Sequence, residues 1–182
     1  MKLYRPLILL LTSAVGAVSA QTEDDRENDT PTGTYWNVGM SEASINTLVG
    51  QGWRLTDIQV EGTSPYTFTV AMVPNSGAHA ISTWWYYGLD AATLSTRLSQ
   101  NSARLIDLEV VDNGSGAARF TCIMVSNTGA NNKAWGWLYN TSTAAITTLT
   151  NQGNRIVDLE QYTLGSTTYY ACVVISNTGS DN

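Results

Sequence analysis

The sequence has few of the residues on which common catalytic and binding chemistries depend. With one histidine and two cysteines it cannot build a zinc site made only of several Cys and His ligands. The single histidine, His79, is the one base available to a Ser-His or Cys-His enzyme. Nine basic against fifteen acidic residues argue against binding nucleic acid through a basic surface. We therefore predict no metal, no cofactor and no nucleic-acid partner.

Long apolar stretches are also scarce, and the one at the N-terminus reads as a targeting signal. Residues 1–20 begin with Lys2 and Arg5, continue through an apolar stretch at 7–11 and end in small residues at Ala20. The apolar stretch is shorter than the ~20 residues that span a bilayer, and no second one follows. We predict a signal peptide over 1–20, a secreted, extracellular product and no membrane span.

The next segment, residues 21–33, holds five carboxylates, one arginine and no aliphatic residue. Such a composition cannot bury enough apolar surface to order itself, which predicts a disordered acidic leader. Secretion also gives meaning to three N-x-S/T sequences, which in a eukaryote would mark glycosylated, exposed loops. These candidate glycosylation sites are Asn28, Asn113 and Asn140.

The remaining residues, 34–182, repeat one pattern three times. The segments QGWRLTDIQ, NSARLIDLE and QGNRIVDLE keep two positions at spacings of 50 and 51 residues: Arg54, Arg104 and Arg155, and Asp57, Asp107 and Asp158. Two further sets accompany them: Asn75, Asn127 and Asn177 in PNSG, SNTG and SNTG, and the aromatic Trp36, Tyr86 and Trp137, each eighteen residues before its Arg. A fixed period of this size predicts a repeat architecture, with units at about 34–80, 81–132 and 133–182.

Each unit reads as an aromatic strand, a short helix and two more strands. Asp90 and Thr141 are the expected N-caps, and Leu94 and Leu98 put an apolar stripe on the core side of the second helix. Gly52, Ser102 and Gly153 stand where a helix exit favours the left-handed conformation. In RLIDLEVV, strict alternation puts Arg104 and Asp107 on opposite faces. The N-T-G segment is expected to turn into the next aromatic strand as a hairpin.

These units predict an α+β, β-rich fold: three strand-helix-strand-strand repeats forming a curved, mostly antiparallel, half-barrel-like sheet covered by short helices. Stacking buries faces that one unit cannot bury alone. The array stops where a fourth aromatic strand should begin. An open sheet edge there would favour self-association.

The combination of WWYYG with NSARLIDLE and FTCIMVSNTGANNKAWGWLYN resembles the bacterial tandem-repeat domain family. It is similar to the non-catalytic N-terminal repeat domain of fungal polyglycine hydrolases, which are secreted proteases. The resemblance implies a curved β-rich repeat fold, accompanied in those enzymes by a serine β-lactamase-like catalytic domain. No S-x-x-K motif occurs here, so protease activity is not carried over. At most the resemblance implies a recognition or scaffold role.

Carboxylates two residues apart, such as Asp107 with Glu109, could serve a glycosidase. Their recurrence at equivalent positions favours a structural role, as solvated residues or as partners of a neighbouring unit's arginine. The repeated arginines are likewise expected to be structural struts. His79 lies in a turn of one unit, where an ordinary loop histidine is expected.

The aromatic residues are the sharpest candidates for function. Six Trp and nine Tyr stand against two Phe, and their polar handles suit binding surfaces. Core is favoured for the phase of Trp36, Tyr86 and Trp137, and exposure for Trp85 and Tyr87. The candidates for ligand contact are Trp84, Trp85, Tyr87, Trp135 and Tyr139.

Two arguments conflict over the cysteines. Secretion favours a disulfide, whereas Cys122 and Cys172 occupy equivalent positions of adjacent units, ~14 Å apart if three strands separate them. We predict free thiols. The functional prediction is a secreted, non-enzymatic module that binds an extracellular protein or a polysaccharide. The alternatives are a hydrolase with carboxylates on adjacent repeats, and a self-associating structural protein.

Overall fold

The computed structural model describes residues 33–114 and 116–177, so the predicted signal peptide and almost all of the leader lie outside it. Unit one contains β1 (Tyr35–Met40), α1 (Glu42–Gly50), β2 (Trp53–Thr63) and β3 (Tyr66–Pro74). Unit two contains β4 (Thr83–Leu89), α2 (Ala91–Asn101), β5 (Ala103–Asp112) and β6 (Ala118–Ser126). Unit three contains β7 (Trp135–Thr141), α3 (Thr143–Asn151), β8 (Asn154–Leu164) and β9 (Thr167–Ser176).

The predicted α+β repeat class is confirmed. Each unit forms its own antiparallel three-stranded sheet, in the orders β1-β3-β2, β4-β6-β5 and β7-β9-β8. The third strand of each unit is central because it pairs with both the first and the second. The strands are thus divided among three open sheets, and the units meet through side chains rather than through one continuous ladder.

The helices begin and end where local chemistry dictates. Asp90 caps α2, as predicted, by accepting from the Thr93 N–H at 2.7 Å. The prediction of Thr141 as the cap of α3 was wrong by one residue, because Ser142 accepts from the Ala145 N–H. The left-handed helix exit is confirmed in each unit, with positive φ at Gly52, Ser102 and Gly153. Ser102 holds this conformation without glycine's freedom, at φ 47°.

A β-bulge in each second strand overturns the predicted alternation. In β5 the register jumps between Leu105, opposite Met124, and Asp107, opposite Ile123, so Ile106 is an extra residue. Arg104 lies opposite Val125, two residues from Ile123 on the same strand. Arg104 and Asp107 therefore share one face of the sheet, and the prediction of opposite faces was wrong.

The units stack face against face. The face of unit two that bears Ile106, Ile123 and Val125 packs on the core of unit one, beside Ile58 and Phe68. The opposite face of unit two, with Leu108, Phe120 and Cys122, receives Ala171 and Val173 of unit three. Each sheet is thus covered on both sides only where it has neighbours.

The connection between units is a bridged turn, so the predicted hairpin into the next aromatic strand was wrong. Strands β3 and β4 belong to different sheets, separated by a 3₁₀ turn at Gly77–His79. The Asn75 side chain donates to the Ile81 carbonyl and accepts from the Ile81 N–H, both at 2.9 Å. Asn127 bridges the turn after β6 in the same way, to the backbone of Lys133.

Both cysteines are free and buried, as predicted. Each lies on a central strand, opposite Leu108 for Cys122 and opposite Leu159 for Cys172. Burial raises the pKa of both thiols, which disfavours the reactive thiolate.

Candidate functional site

The aromatic side chains form the contact between successive units. The ring of Trp85, on β4, meets Phe68 of unit one edge to face at 5.5 Å, and Tyr87 meets the same ring at 5.4 Å. Trp137 and Tyr139 of unit three contact Phe120 in the same way, at 5.6 and 5.2 Å. In units two and three, one Trp and one Tyr thus pack edge to face on a phenylalanine ring of the preceding unit.

Polar atoms of helix α1 complete this contact. The Trp85 indole N–H donates to the Asn46 Oδ1 at 3.0 Å, and the Tyr87 hydroxyl donates to the Glu42 carboxylate at 2.6 Å. That hydrogen bond raises the pKa of Tyr87. Trp85 and Tyr87 are therefore half-buried between units, and their predicted exposure was wrong because the preceding unit occupies their face.

The strand pairing also corrects the alignment of the aromatic positions. Trp36 lies opposite Ala71, Trp85 opposite Ile123 and Trp137 opposite Val173, which are equivalent places on the central strands. The equivalent of Trp36 in unit two is thus Trp85, not Tyr86, because of the Trp84-Trp85 doublet. Trp84 and Trp135 are half-buried against the core of unit two.

Among the described residues, no unit precedes the first tryptophan of this repeated arrangement. Trp36 is 73% exposed and Val38, the equivalent of Tyr87, is 59% exposed. The core prediction for the Trp36 phase was therefore wrong at unit one. We call the surface formed by Trp36, Val38 and Asp57 the leading face.

The repeated aspartates make a second contact between units. The Asp107 carboxylate accepts from the Ile58 N–H of unit one at 3.0 Å, and Asp158 accepts from the Leu108 N–H of unit two at 2.9 Å. Both aspartates are buried, whereas Asp57 in unit one is exposed. The position predicted to be structural thus binds the backbone of the preceding unit in two of the three copies.

The opposite end of the stack exposes the residues that would receive such contacts. Leu159, the equivalent of the fully buried Ile58 and Leu108, is 50% exposed, and Ile156, the equivalent of Leu55 and Leu105, is 36% exposed. Tyr170, the equivalent of Phe68 and Phe120, lies on the same face of β9 as Cys172, the partner of Leu159, and it lines a groove of about 460 Å³. The groove is lined by Asn140, Thr141, Ser142, Thr143, Thr168, Tyr169 and Tyr170. We call this surface, with Ile156 and Leu159, the trailing face.

One candidate glycosylation site borders that groove. Asn140 is exposed, and its Oδ1 accepts from the Tyr162 hydroxyl at 2.6 Å. It holds a positive φ of 48°, where units one and two have Gly39 and Gly88. Asn113 is exposed in the turn between β5 and β6, and Asn28 lies outside the described residues.

The paired carboxylates lie where units meet. Glu109 receives a hydrogen bond from the Val60 backbone and lies near Glu160, Asp158 and Asp57. Burial, with repulsion from these acids, raises the pKa of Glu109 to about 8. Across residues 33–114 and 116–177, no group of three or more His, Cys, Asp or Glu side chains is arranged to hold a metal ion.

The repeated arginines and His79 are buried or half-buried. Arg54 and Arg104 are buried and Arg155 is half-buried, and burial lowers the pKa of Arg54. His79 is half-buried in its 3₁₀ turn. In the part of the chain that the structure describes, no helix is both long and apolar enough to cross a bilayer.

Sequence reasoning missed the two terminal faces, although a signal for them existed. Within the described residues no unit precedes unit one and none follows unit three, so the contact residues of these faces are not covered there as their equivalents are. Ile156 and Leu159 look like ordinary core residues until they are placed in the last unit.

Comparison with known proteins agrees with this architecture. Residues 83–127 and 140–176 each match the family described as polyglycine hydrolase-like, structural repeat. These matches fall within units two and three, and the family resemblance predicted from the sequence is confirmed. No curated protein and no solved structure matches the chain. Units two and three of this chain are therefore similar to the polyglycine hydrolase-like structural repeat.

Proposed function

We propose that this chain is a secreted, non-catalytic module that binds a protein partner through the trailing face of its last unit. The observation that carries the proposal is the exposure of Leu159 and Ile156 beside the Tyr170 groove. Equivalent residues elsewhere in the stack are buried by another polypeptide unit. An apolar patch rimmed by hydroxyl groups is typical of a protein-binding surface.

The surroundings of the aromatic rings favour a protein over a polysaccharide. Sugar rings stack on flat, open aromatic faces, whereas Trp85 and Trp137 already meet Phe68 and Phe120 edge to face between units. Of the three equivalent tryptophans, Trp36 alone is exposed. Among the described residues the exposed large apolar side chains are Trp36, Val38, Val49, Tyr139, Ile156 and Leu159, and four of these six lie on the two terminal faces.

A non-catalytic role is supported by what the carboxylates do. Asp107 and Asp158 are buried and accept backbone N–H groups, which leaves them poorly placed to meet a substrate. The family itself is described as a structural repeat. The predicted signal peptide supports secretion, and the first residue of the exported protein is expected to be Gln21.

Peptide and glycan arrays, probed with the purified protein, test the proposal. We expect capture by peptides that contain aromatic and aliphatic residues, retained in Val49→Asp and lost in Leu159→Asp. Val49 is the matched control because it is also exposed, at 37%, but lies on α1 away from both terminal faces. Binding to chitin or glucan that is lost in Trp36→Ala, which removes the most exposed ring, would instead favour the polysaccharide alternative.

A further inference from the structure

We propose that the partner of the trailing face is the leading face of a second copy of this chain, so that the protein associates head to tail. This inference rests on the proposed function and names the ligand of the same surface. Its basis is that the chain already contains this contact twice, between units one and two and between units two and three.

The aromatic contact between units has an exposed counterpart on each terminal face. Inside the chain, the Trp of each later unit packs edge to face on a ring of the preceding unit, Trp85 on Phe68 and Trp137 on Phe120. Trp36 occupies the equivalent position on β1 and Tyr170 the equivalent position on β9, and within the described residues neither has the corresponding partner. The groove of about 460 Å³ is lined by Tyr170 and Thr143, the equivalents of the Phe68 and Glu42 that Tyr87 contacts, so Val38 of another copy would face it beside Trp36. Docking Trp36 on Tyr170 of another copy would satisfy both.

The polar contact points the same way. Asp107 and Asp158 each accept a backbone N–H, from Ile58 and Leu108 of the preceding unit. Asp57 is exposed at the leading face, and Leu159 holds the place of Ile58 and Leu108 at the trailing face. A second copy would therefore bring an unburied carboxylate to the N–H position that a carboxylate occupies at both internal boundaries, and would cover the Leu159 side chain.

The leading face is less apolar than its internal counterparts, which sets the expected strength. Thr56 stands where unit two has Ile106, and Ala71 stands where unit two has Ile123. Each replacement removes apolar area from the contact, at roughly 25 cal/mol per Å². The association is accordingly expected to be reversible and dependent on concentration, unlike the covalently linked internal boundaries. Because the contact is heterologous, it leaves one free face at each end and permits growth beyond a dimer.

Sedimentation velocity on the mature full chain, from about 1 µM to about 1 mM, tests the inference. The weight-average mass of the wild type is expected to rise with concentration past that of a dimer. Trp36→Ala and Leu159→Asp should each weaken association at least about tenfold, as truncation of a buried interface anchor does. Val49→Asp is the control and should associate as the wild type does. Circular dichroism verifies that each variant is folded.

Mixing the two defective variants gives the decisive arm. Trp36→Ala keeps an intact trailing face and Leu159→Asp keeps an intact leading face. Each alone should stay monomeric, while an equimolar mixture should form a dimer and stop there. Asp57→Lys is a second leading-face variant. Mixed with Leu159→Asp in place of Trp36→Ala, it should also form a dimer.

The outcomes separate this inference from the function on which it rests. A wild type that stays monomeric throughout, or that forms dimers unaffected by Trp36→Ala, overturns head-to-tail association. If such a monomer still captures peptides through Leu159, the binding function stands and its partner is a different protein. If mass grows and complementation works while arrays capture nothing, the second copy is the partner and a wider peptide-binding role fails.

Discussion

The three repeated aspartates offer a comparison within one chain, because the same residue in the same local motif has two different surroundings. Asp107 and Asp158 accept a backbone N–H from the preceding unit at 3.0 and 2.9 Å and are buried, whereas Asp57 is exposed. Replacing each in turn by alanine therefore separates the contribution of the unit boundary from that of the motif itself.

The magnitude follows from the hydrogen bond. A bond to a charged acceptor contributes ~1.5–3 kcal/mol, and a buried N–H left without an acceptor keeps its desolvation cost. We expect Asp107→Ala and Asp158→Ala each to lower the free energy of unfolding by about 2–3 kcal/mol. Asp57→Ala, at an exposed site, should change it by less than about 0.5 kcal/mol.

Urea unfolding followed by circular dichroism measures the three free energies, and amide hydrogen exchange locates the effect. Exchange should accelerate at Ile58 in Asp107→Ala and at Leu108 in Asp158→Ala, because these are the N–H groups that lose their acceptors. Equal losses of stability in all three variants would refute the reasoning. They would mean that the aspartate acts within its own unit.

Three further predictions concern Ser102, Glu109 and the two cysteines. Ser102→Gly should raise the free energy of unfolding by about 1 kcal/mol in urea titrations, since Ser102 holds φ 47°. The Glu109 pKa of about 8, against an ordinary 4.5, means that the folded state keeps a proton that the unfolded state releases between these values. Unfolding free energy should therefore fall as pH rises from 5 to 8, and Glu109→Gln should flatten that slope. Cys122 and Cys172 should react with Ellman's reagent only after denaturant is added.

The repeat and its class could be predicted because period and patterning are local properties of a sequence. The helix exits at Gly52, Ser102 and Gly153 are set by a residue's own backbone, and the structure confirms them. The buried stripe of Leu94 and Leu98 follows from helical spacing alone and is also confirmed.

The wrong predictions of side-chain orientation arose where one extra residue in a strand changes which side chains share a face. The bulge at Ile106 leaves the composition of β5 unchanged but reverses which side chains share a face, so Arg104 joins Asp107. The Trp84-Trp85 doublet offered two aromatic residues for one position, and only strand pairing identified Trp85. Alternation with a period of two cannot reveal such a slip, since either phase gives an acceptable strand.

The candidate binding surfaces could not be predicted from the sequence for a different reason. A repeated motif makes all three units look alike, yet their contact residues do unlike things according to position. Trp85 and Trp137 contact a preceding unit, whereas the equivalent Trp36 is exposed, and for that reason we propose it as a recognition residue. The binding surfaces that we propose are therefore the two terminal faces of the described units.

The terminal units depart from the common pattern at residues of the two terminal faces, and these departures bear on how strongly the faces could associate. Thr56 and Ala71 lower the apolar area of the leading face, while Ile156 and Leu159 remain uncovered on the trailing face. A pair of fully polar ends would keep the protein a soluble monomer, and a pair of fully apolar ends would drive uncontrolled polymerisation. A less apolar face opposite a more apolar one is consistent with the reversible, concentration-dependent association that we propose. Asn140 lines the groove beside Tyr170, so a glycan on its side chain would be expected to hinder the association that we propose.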